Sequence, residues 1–164
     1  MFDLEKIALQ AGAALKEKNQ TVAVAESSSG GLICAALLAV PGASSYFKGG
    51  GVVYTSQAKT LLVEISAEAM AADRAATETH ALHLARAARE RLGADWGIGE
   101  TGAAGPTGNR YGDAAGHSCI GIAGPCEKAI TISTHSDERA ANMQAFATAA
   151  IELLQECVAP PKCV

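Results

Sequence analysis

Apolar side chains recur at intervals of three and four over residues 3–19, and charged or amide side chains occupy most positions between them. This spacing predicts an amphipathic helix. The next segment, 21–25, is short, apolar and partly β-branched, which is typical of a buried strand, and a polar glycine turn connects it to a second predicted helix over 32–40. Strand, turn and helix in that order indicate a layered α/β fold.

The rest of the chain continues this alternation. Strands are predicted at 49–55 and 95–101, and the segments 118–123 and 128–133 flank Gly124–Pro125, which predicts a hairpin. A late hairpin added to earlier strand–helix units gives a mixed sheet, so we expect a three-layer α/β/α sandwich around a central mixed sheet. The remaining helices are predicted at 57–62, 67–72, 77–91 and 137–156.

Length and composition restrict the class of protein. The 164 residues fit one domain, expected over 1–157, with 158–164 as a flexible tail. A hydrophobic content of 49% with a net charge of -4 excludes a disordered chain, and the acidic balance argues against binding a nucleic-acid backbone. Because the sequence shows no run long enough for a membrane helix and no basic, apolar leader, a cytoplasmic location is expected.

Cysteine and histidine positions do not predict a metal site. His80 and His83 lie three residues apart on one predicted helix without an accompanying HExxH pattern, so both are predicted to be helix-surface residues. We expect no disulfide framework, no metal and no cofactor. The cysteines, which form no C-x-x-C pair, are Cys34, Cys119, Cys126, Cys157 and Cys163.

Three polar segments with glycines lie beside predicted strands, at 26–31, 41–50 and 101–108. Loops beyond the carboxyl ends of strands in an α/β sheet gather in one crevice, where ligands bind. The first turn has backbone N–H groups at a helix N-terminus, which suits a phosphate. Alternatively, Ser29 is only a helix cap and the glycines allow close packing. The sequence leaves both interpretations open.

Ser44 and Lys59 are a candidate nucleophile and base. Taken alone, Ser44 is typical of a turn or capping serine, and Lys59 of a solvated surface lysine. A serine–lysine mechanism needs the hydroxyl and a neutral amine within hydrogen-bonding distance. Spacing along the chain does not establish that contact.

Four segments form an ordered set of motifs: AESSSGG at 25–31, PGASSYF at 41–47, GGVVYTSQAK at 50–59 and TGAAGP at 101–106. In order and spacing they resemble the motifs of the CinA C-terminal domain family, which typically read AESCTGG, PGAS, GVVAYSNEAK and TGIAGP. The resemblance spans roughly residues 3–156 and implies the α/β sandwich of that family.

The resemblance also implies a chemistry. Active members of the family convert nicotinamide mononucleotide to nicotinic acid mononucleotide and ammonia. By this resemblance Ser44 is the nucleophile, Lys59 is its general base, and Tyr54 and Thr101 complete the polar set, with a nucleotide as the small-molecule partner. The phosphate is expected in the 26–31 turn or in the 101–108 loop. The substrate-binding residues implied are Glu26, Ser27, Ser28, Ser29, Gly30, Gly31, Gly102, Gly105 and Arg110.

Three departures from the family pattern bear on the substrate. The cysteine and threonine of the first motif are Ser28 and Ser29 here, and the stretch 107–116 differs from the usual GGGTxxKPVG. In TGAAGP, Ala103 stands where TGIAGP has an isoleucine, a smaller side chain that changes the shape of the pocket rather than its charge. Asp113 stands where a lysine is usual and would repel a phosphate unless Arg110 supplies the positive charge. The alternatives are a nucleotide-binding protein without catalysis and a partner protein in competence or DNA-damage responses.

Two further expectations concern assembly. The family often carries an additional N-terminal domain similar to molybdopterin-binding folds, whereas this chain begins with its first helix and resembles the stand-alone form. The alanine-rich helices 77–91 and 137–156 could offer a homodimer face, although such helices pack equally well inside a monomer.

Overall fold

Five strands form one sheet within residues 2–159, which the computed structural model describes. The strands are β1 (Val22–Glu26), β2 (Phe47–Val52), β3 (Trp96–Ala103), β4 (His117–Ala123) and β5 (Lys128–Ser133). Their order across the sheet is β2-β1-β3-β4-β5. β1 is parallel to both neighbours, whereas β3–β4 and β4–β5 are antiparallel, so the sheet is mixed, as predicted.

Helices cover both faces of the sheet. The helices are α1 (Phe2–Lys18), α2 (Leu32–Leu38), α3 (Ser56–Val63), α4 (Ala67–Ala72), α5 (Glu78–Leu92) and α6 (Arg139–Val158). One core, the α1/α2/α6 core, includes Val22 and Val24 of β1. The other, the α3/α5 core, includes Ala23 and Ala25 of the same strand, because side chains alternate along a strand. No helix within residues 2–159 is long and apolar enough to cross a membrane.

Glycines in β3 allow α5 to lie close to the sheet. A Cβ atom added to Gly97 would lie 1.9 Å from the carbonyl oxygen of Ala85, and one added to Gly99 would lie 2.0 Å from that of Ala81. Only glycine permits this approach, since any larger residue would overlap the helix backbone. The alanine side of α5 therefore faces the sheet.

The predicted helices and strands are all present, with shifted ends. β2 begins at Phe47, two residues earlier than predicted, and β3 continues to Ala103 because Gly102 and Ala103 still pair with β4. The expected three-layer α/β/α arrangement is confirmed. α6 continues to Val158, and residues 160–164 of the predicted tail lie outside the described residues.

Candidate functional site

Two buried glutamates lie side by side near the carboxyl ends of β1 and β3. Glu26 and Glu100 are register partners, and neither residue is exposed to solvent. The Glu26 carboxylate accepts the backbone N–H groups of Ile33 at 3.1 Å and Cys34 at 2.9 Å, in the first turn of α2. It thereby satisfies donors that have no partner within the helix and stabilises the helix N-terminus.

Glu100 holds the turn that connects β1 to α2. Its carboxylate accepts the backbone N–H groups of Ser27 at 3.1 Å and Ser29 at 2.9 Å. It also accepts the hydroxyl of Ser28 and, from β4, that of Ser118 at 2.7 Å. The turn is therefore fixed by buried hydrogen bonds to a side chain that lies more than 70 residues further along the chain.

The β1–α2 turn is not arranged as an anion site. The Ser29 hydroxyl lies 2.5 Å from a Glu26 oxygen and 2.9 Å from a Glu100 oxygen, so a phosphate placed here would meet two carboxylates. Ser29 does not cap α2 either. Gly30 and Gly31 complete the turn with φ of 67° and 99°, and Gly31, which has no side chain, occupies the cap position. The structure thus excludes the phosphate and the serine-cap interpretations of this turn. The expected close packing is present at Gly30, where a Cβ atom would lie 2.5 Å from the terminal methyl carbon of Met143.

Lys59 is a buried lysine on α3. It shares the buried side of the helix with Val63, one turn later, and is only 4% exposed. Burial lowers the pKa of Lys59 below its ordinary value, and the Glu100 carboxylate partly opposes that shift. More of the amine is therefore neutral than in an exposed lysine, which is what a general base requires.

Ser27 follows β1 and continues its alternation toward α3. Ala23 and Ala25 point into the α3/α5 core, and Ser27 is the next residue on that side of the chain. Val63, which shares the buried side of α3 with Lys59, belongs to the same core. Its backbone N–H and carbonyl are hydrogen-bonded, but within residues 2–159 its hydroxyl is not. Ser27 is 7% exposed. The alternation thus places its hydroxyl on the same side of the sheet as Lys59.

Ser44 lies at the opposite end of β2 from Lys59. It is exposed and belongs to a 3₁₀ turn, Ala43–Ser45, immediately before the strand begins, whereas Lys59 follows the end of the strand. β2 runs parallel to β1 from end to end, so the strand separates the two side chains by roughly 16 Å or more. The fold does not bring Ser44 and Lys59 together.

The 41–50 segment also does not join the crevice expected from the three loops. Lys16, in the last turn of α1, donates to the carbonyl of Pro41 at 2.6 Å, and Ser45 donates to the carbonyl of Gly42 at 2.9 Å. Both contacts lie at the amino end of β2. The crevice expectation fails for this segment because it precedes its strand rather than following it.

Tyr54 and Thr101 contact neighbours other than Lys59. Tyr54 is 60% exposed, and its hydroxyl accepts a hydrogen bond from Arg139 at 3.5 Å. The Thr101 hydroxyl is buried and accepts the backbone N–H of Ala76 at 3.0 Å, just before α5. Thr101 therefore positions the start of α5, and Tyr54 is a surface residue of the cleft described next.

A polar cleft of about 230 Å³ opens at the carboxyl end of the sheet. Side chains of the β1–α2 turn, the β2–α3 connection and the start of α6 form its walls together with the 102–109 loop. Its lining residues are Ser28, Tyr54, Gly102, Ala103, Ala104, Gly105, Thr107, Gly108, Asn109 and Arg139. Of the three glycine-bearing segments, the first and the third therefore meet here, as expected.

The negative charge of Asp113 is neutralised, but not by Arg110. Arg74 donates to the Asp113 carboxylate at 2.7 Å and Asn109 donates to it at 2.8 Å. The Arg74 hydrogen bond, followed by that from Asn109, lowers the pKa of Asp113. Arg110 is exposed and lies over the Tyr111 ring, 4.9 Å from its centroid. The expected role of Arg110 as the compensating cation is thus taken by Arg74.

His80 is not the surface residue that the sequence predicts. It is fully buried, and within residues 2–159 neither ring nitrogen has a hydrogen-bond partner. Burial, with a smaller contribution from the charge of Lys59, lowers the pKa of His80 to about 4. His83 is partly exposed, with Nδ1 3.6 Å from the Asp73 carboxylate. No group of three or more potential metal-binding side chains occurs in the described part of the chain.

The low pKa of His80 makes stability depend on pH. The unfolded chain binds this proton near pH 6.5 and the folded one near pH 4, so the free energy of unfolding falls as the pH is lowered between these values, by about 3 kcal/mol in total. We expect His80→Met to lose this part of the slope in urea unfolding at pH 7 and pH 4.5. His135→Asn, at an exposed site, is the control. An unchanged slope in His80→Met would contradict the assignment.

Sequence reasoning missed Arg139 and Asn109 as cleft residues and Glu100 as the residue that organises the turn. The sequence gives a partial signal for Glu100. An acidic residue inside an apolar strand pattern must be buried with a hydrogen-bonding partner, but the pattern does not name that partner. Arg139 lies more than 30 residues after the loop that it contacts, and no local pattern links the two.

Comparisons with known proteins agree with this architecture. The sequence profile described as the CinA C-terminal domain matches residues 4–158. A CinA-like protein of Chlorobium limicola is 39% identical over 158 residues, which cover 91% of this chain and 37% of the relative. One from Synechocystis sp. is 40% identical over 137 residues, or 84% of this chain and 33% of the relative. The chain thus spans about a third of the length of the curated relatives it matches.

Solved structures resemble the whole fold. The competence/damage inducible protein CihA of Agrobacterium tumefaciens superimposes with a TM-score of 0.86 at 27% identity, over 93% of each chain. A CinA superfamily protein of Escherichia coli gives a TM-score of 0.86 at 25% identity, over 93% of this chain and 89% of the other. The similarity therefore extends over most of this chain.

Proposed function

Since the chain belongs to the CinA C-terminal domain family, we propose that it is an amidohydrolase that releases ammonia from the carboxamide of nicotinamide mononucleotide. The observation that carries the proposal is Lys59, a buried amine with a lowered pKa. It lies near enough to Glu100 for that carboxylate to act on its pKa, and Glu100 in turn holds the serine-bearing turn that borders the polar cleft. Perturbed ionisable groups of this kind cluster at catalytic sites. No metal is needed for this chemistry.

Ser27 is the proposed nucleophile. Its hydroxyl is not held by a protein acceptor within residues 2–159, whereas the Ser28 hydroxyl already donates to Glu100 and that of Ser29 lies between two carboxylates. The alternation of β1 also directs Ser27 toward the α3 side of the sheet, where Lys59 lies. Ser44 lacks this relation to Lys59, because the length of β2 separates them.

The reaction has two steps, the formation of an ester on Ser27 with release of ammonia and the hydrolysis of that ester. Neutral Lys59 accepts the Ser27 proton as the hydroxyl oxygen attacks the carboxamide carbon, and backbone N–H groups of the 102–108 loop stabilise the oxyanion. Protonated Lys59 then returns its proton to the amide nitrogen, which leaves as ammonia and gives an ester on Ser27. Water, activated by Lys59, hydrolyses the ester to the carboxylic acid and restores the hydroxyl.

The test of this function is ammonia release from nicotinamide mononucleotide by the purified protein. We expect wild-type protein to be active and Ser44→Ala to retain activity within about twofold, since an exposed hydroxyl beyond β2 has no part in the reaction. Loss of activity in a folded Ser44→Ala variant would contradict the assignment of Ser27 and identify Ser44 as the nucleophile. Nucleotide binding without ammonia release would contradict the proposal and favour a binding protein.

A further inference from the structure

Two cysteine thiols lie where the β4–β5 hairpin meets the end of α6. Cys126 is exposed in the hairpin turn, and Cys157 is partly buried in the last turn of the helix. An ion pair joins the same two segments, because Lys128 Nζ lies 2.7 Å from the Glu156 carboxylate. Each charged residue is one or two positions from one of the cysteines, so the ion pair holds both thiols at one place on the surface.

The direction of the side chains along β5 also brings Cys126 toward α6. Ile130 packs against the α1/α2/α6 core, and Lys128, two residues earlier, reaches Glu156 of the helix. Cys126 lies a further two residues back, on the side of the hairpin that this alternation turns toward α6. Cys157 packs against the same core from the helix. The two thiols therefore lie between the hairpin and the helix.

The electrostatic environment shows that the two thiols are neighbours. The pKa of Cys157 is raised to about 12, chiefly by burial and then by the charge of Cys126 and a side-chain hydrogen bond with it. The hydrogen bond to Glu156 raises the pKa of Lys128, and both thiols contribute to that shift. An ammonium beside a thiol favours the thiolate, which is the form that reacts with oxidants. Cys126, the exposed member of the pair, is therefore the thiol that reacts first.

We propose that Cys126 and Cys157 form an intramolecular disulfide when the protein meets a peroxide. The Cys126 thiolate attacks one oxygen of hydrogen peroxide, the O–O bond breaks, and the departing hydroxide takes up the thiol proton as water, which leaves a sulfenic acid on Cys126. The Cys157 sulfur then attacks the sulfenic sulfur. The S–S bond forms, the S–O bond breaks, and the hydroxide leaves with the Cys157 proton as a second water. Two thiols are thus oxidised by two electrons while one peroxide is reduced to two waters.

This dithiol site is separate from the polar cleft. α6 begins at Arg139, which borders the cleft, and Cys157 follows 18 residues later, roughly 27 Å along the helix axis. The disulfide would tie the end of α6 to the β4–β5 hairpin and leave the start of the helix untouched. The proposal therefore does not depend on the amidohydrolase activity proposed above.

Peptide mapping after treatment with hydrogen peroxide tests the pairing. Trypsin places Cys126 in peptide 111–128 and Cys157 in peptide 140–162. With free thiols blocked before digestion, we expect the two peptides to be joined in oxidised wild-type protein and to separate on addition of dithiothreitol. Non-reducing electrophoresis should show a single chain. An oxidised wild type without this link, or one in which the link joins two chains, would overturn the proposal.

Serine variants identify the residues in the link. Cys119 shares peptide 111–128 with Cys126, but it is buried and its thiol donates to the carbonyl of Ala76, just before α5. Cys119→Ser is therefore the matched control and should keep the link, whereas Cys126→Ser should abolish it. A link that survives Cys126→Ser, or that disappears in Cys119→Ser, would assign the reaction to another thiol and contradict the site.

Thermal unfolding gives a second measurement. The disulfide closes a loop of roughly 30 residues and restricts the unfolded chain, so oxidised wild-type protein should have a Tm roughly 5 °C or more above that of the reduced protein. Cys126→Ser and Cys157→Ser should show no such rise after the same treatment. An equal rise in Cys126→Ser would mean that a different oxidation stabilises the protein and would speak against the Cys126–Cys157 bond.

Discussion

Replacing Lys59 by methionine is expected to lower kcat for ammonia release by roughly 10²- to 10⁴-fold. Methionine preserves most of the side-chain volume but cannot accept the Ser27 proton. Because Lys59 is 4% exposed and its amine is desolvated, the substitution also removes a costly buried charge, so the protein should remain folded. Ammonia release and urea unfolding, measured on the same preparation, distinguish a loss of catalysis from a loss of folded protein.

The pH profile and a double variant sharpen this result. As the proposed general base, Lys59 would act in its neutral form, so kcat/KM should rise with pH and level off below the ordinary lysine pKa, because burial lowers the pKa of this amine. Ser27→Ala combined with Lys59→Met should be no slower than either single variant, since the two groups act as a unit. Lys48→Met, at an exposed position of β2, is the matched control. Multiplicative losses in the double variant would contradict a shared step.

Gly99→Ala is expected to lower the free energy of unfolding by about 3 kcal/mol or more. The new Cβ would lie 2.0 Å from the carbonyl oxygen of Ala81, 2.6 Å from the backbone nitrogen of Ala85 and 2.9 Å from the Cβ of Leu84. None of these atoms is the end of a flexible side chain. α5 must therefore move away from β3, and the packing of the α3/α5 core loosens along its length.

Gly51→Ala in β2 is the control for Gly99→Ala, because no atom lies within 4 Å of the position where its Cβ would be. There the added methyl group restricts the unfolded chain and causes no clash in the folded one. We therefore expect the free energy of unfolding to rise by less than about 1 kcal/mol. Urea midpoints of the two variants measure the difference. Similar midpoints would show that α5 does not approach the sheet as closely as the structure indicates.

The fold was predictable because its elements have clear periods. The three- and four-residue spacing over 3–19 identifies α1, and the Gly124–Pro125 turn between two apolar segments identifies the β4–β5 hairpin. The glycines of β3 could not be interpreted in the same way. Gly97 and Gly99 weaken a strand pattern on their own, and only the position of α5 explains why they are there.

The candidate site was less predictable, since it depends on which edge of the sheet each residue reaches. Ser44 precedes β2 and Lys59 follows it, so the two residues lie at opposite ends of the strand. The sequence pattern does not show which of them lies at the ligand-binding edge of the sheet until the ends of the strand are known. His80 fits a helix surface or a helix interior equally well by spacing. Arg139 is brought to the cleft only by the tertiary path of α6.

The hydrogen bonds between Glu100 and the β1–α2 turn set an order of events in folding. Ser27 and Glu100 are 73 residues apart, so the turn acquires its geometry only after a long loop has closed and β1 has paired with β3. Such distant pairings form slowly compared with local helices. A refolding chain should therefore regain helical structure before it regains the geometry of the turn that carries the proposed nucleophile, and an intermediate without the β1–β3 contact should release no ammonia.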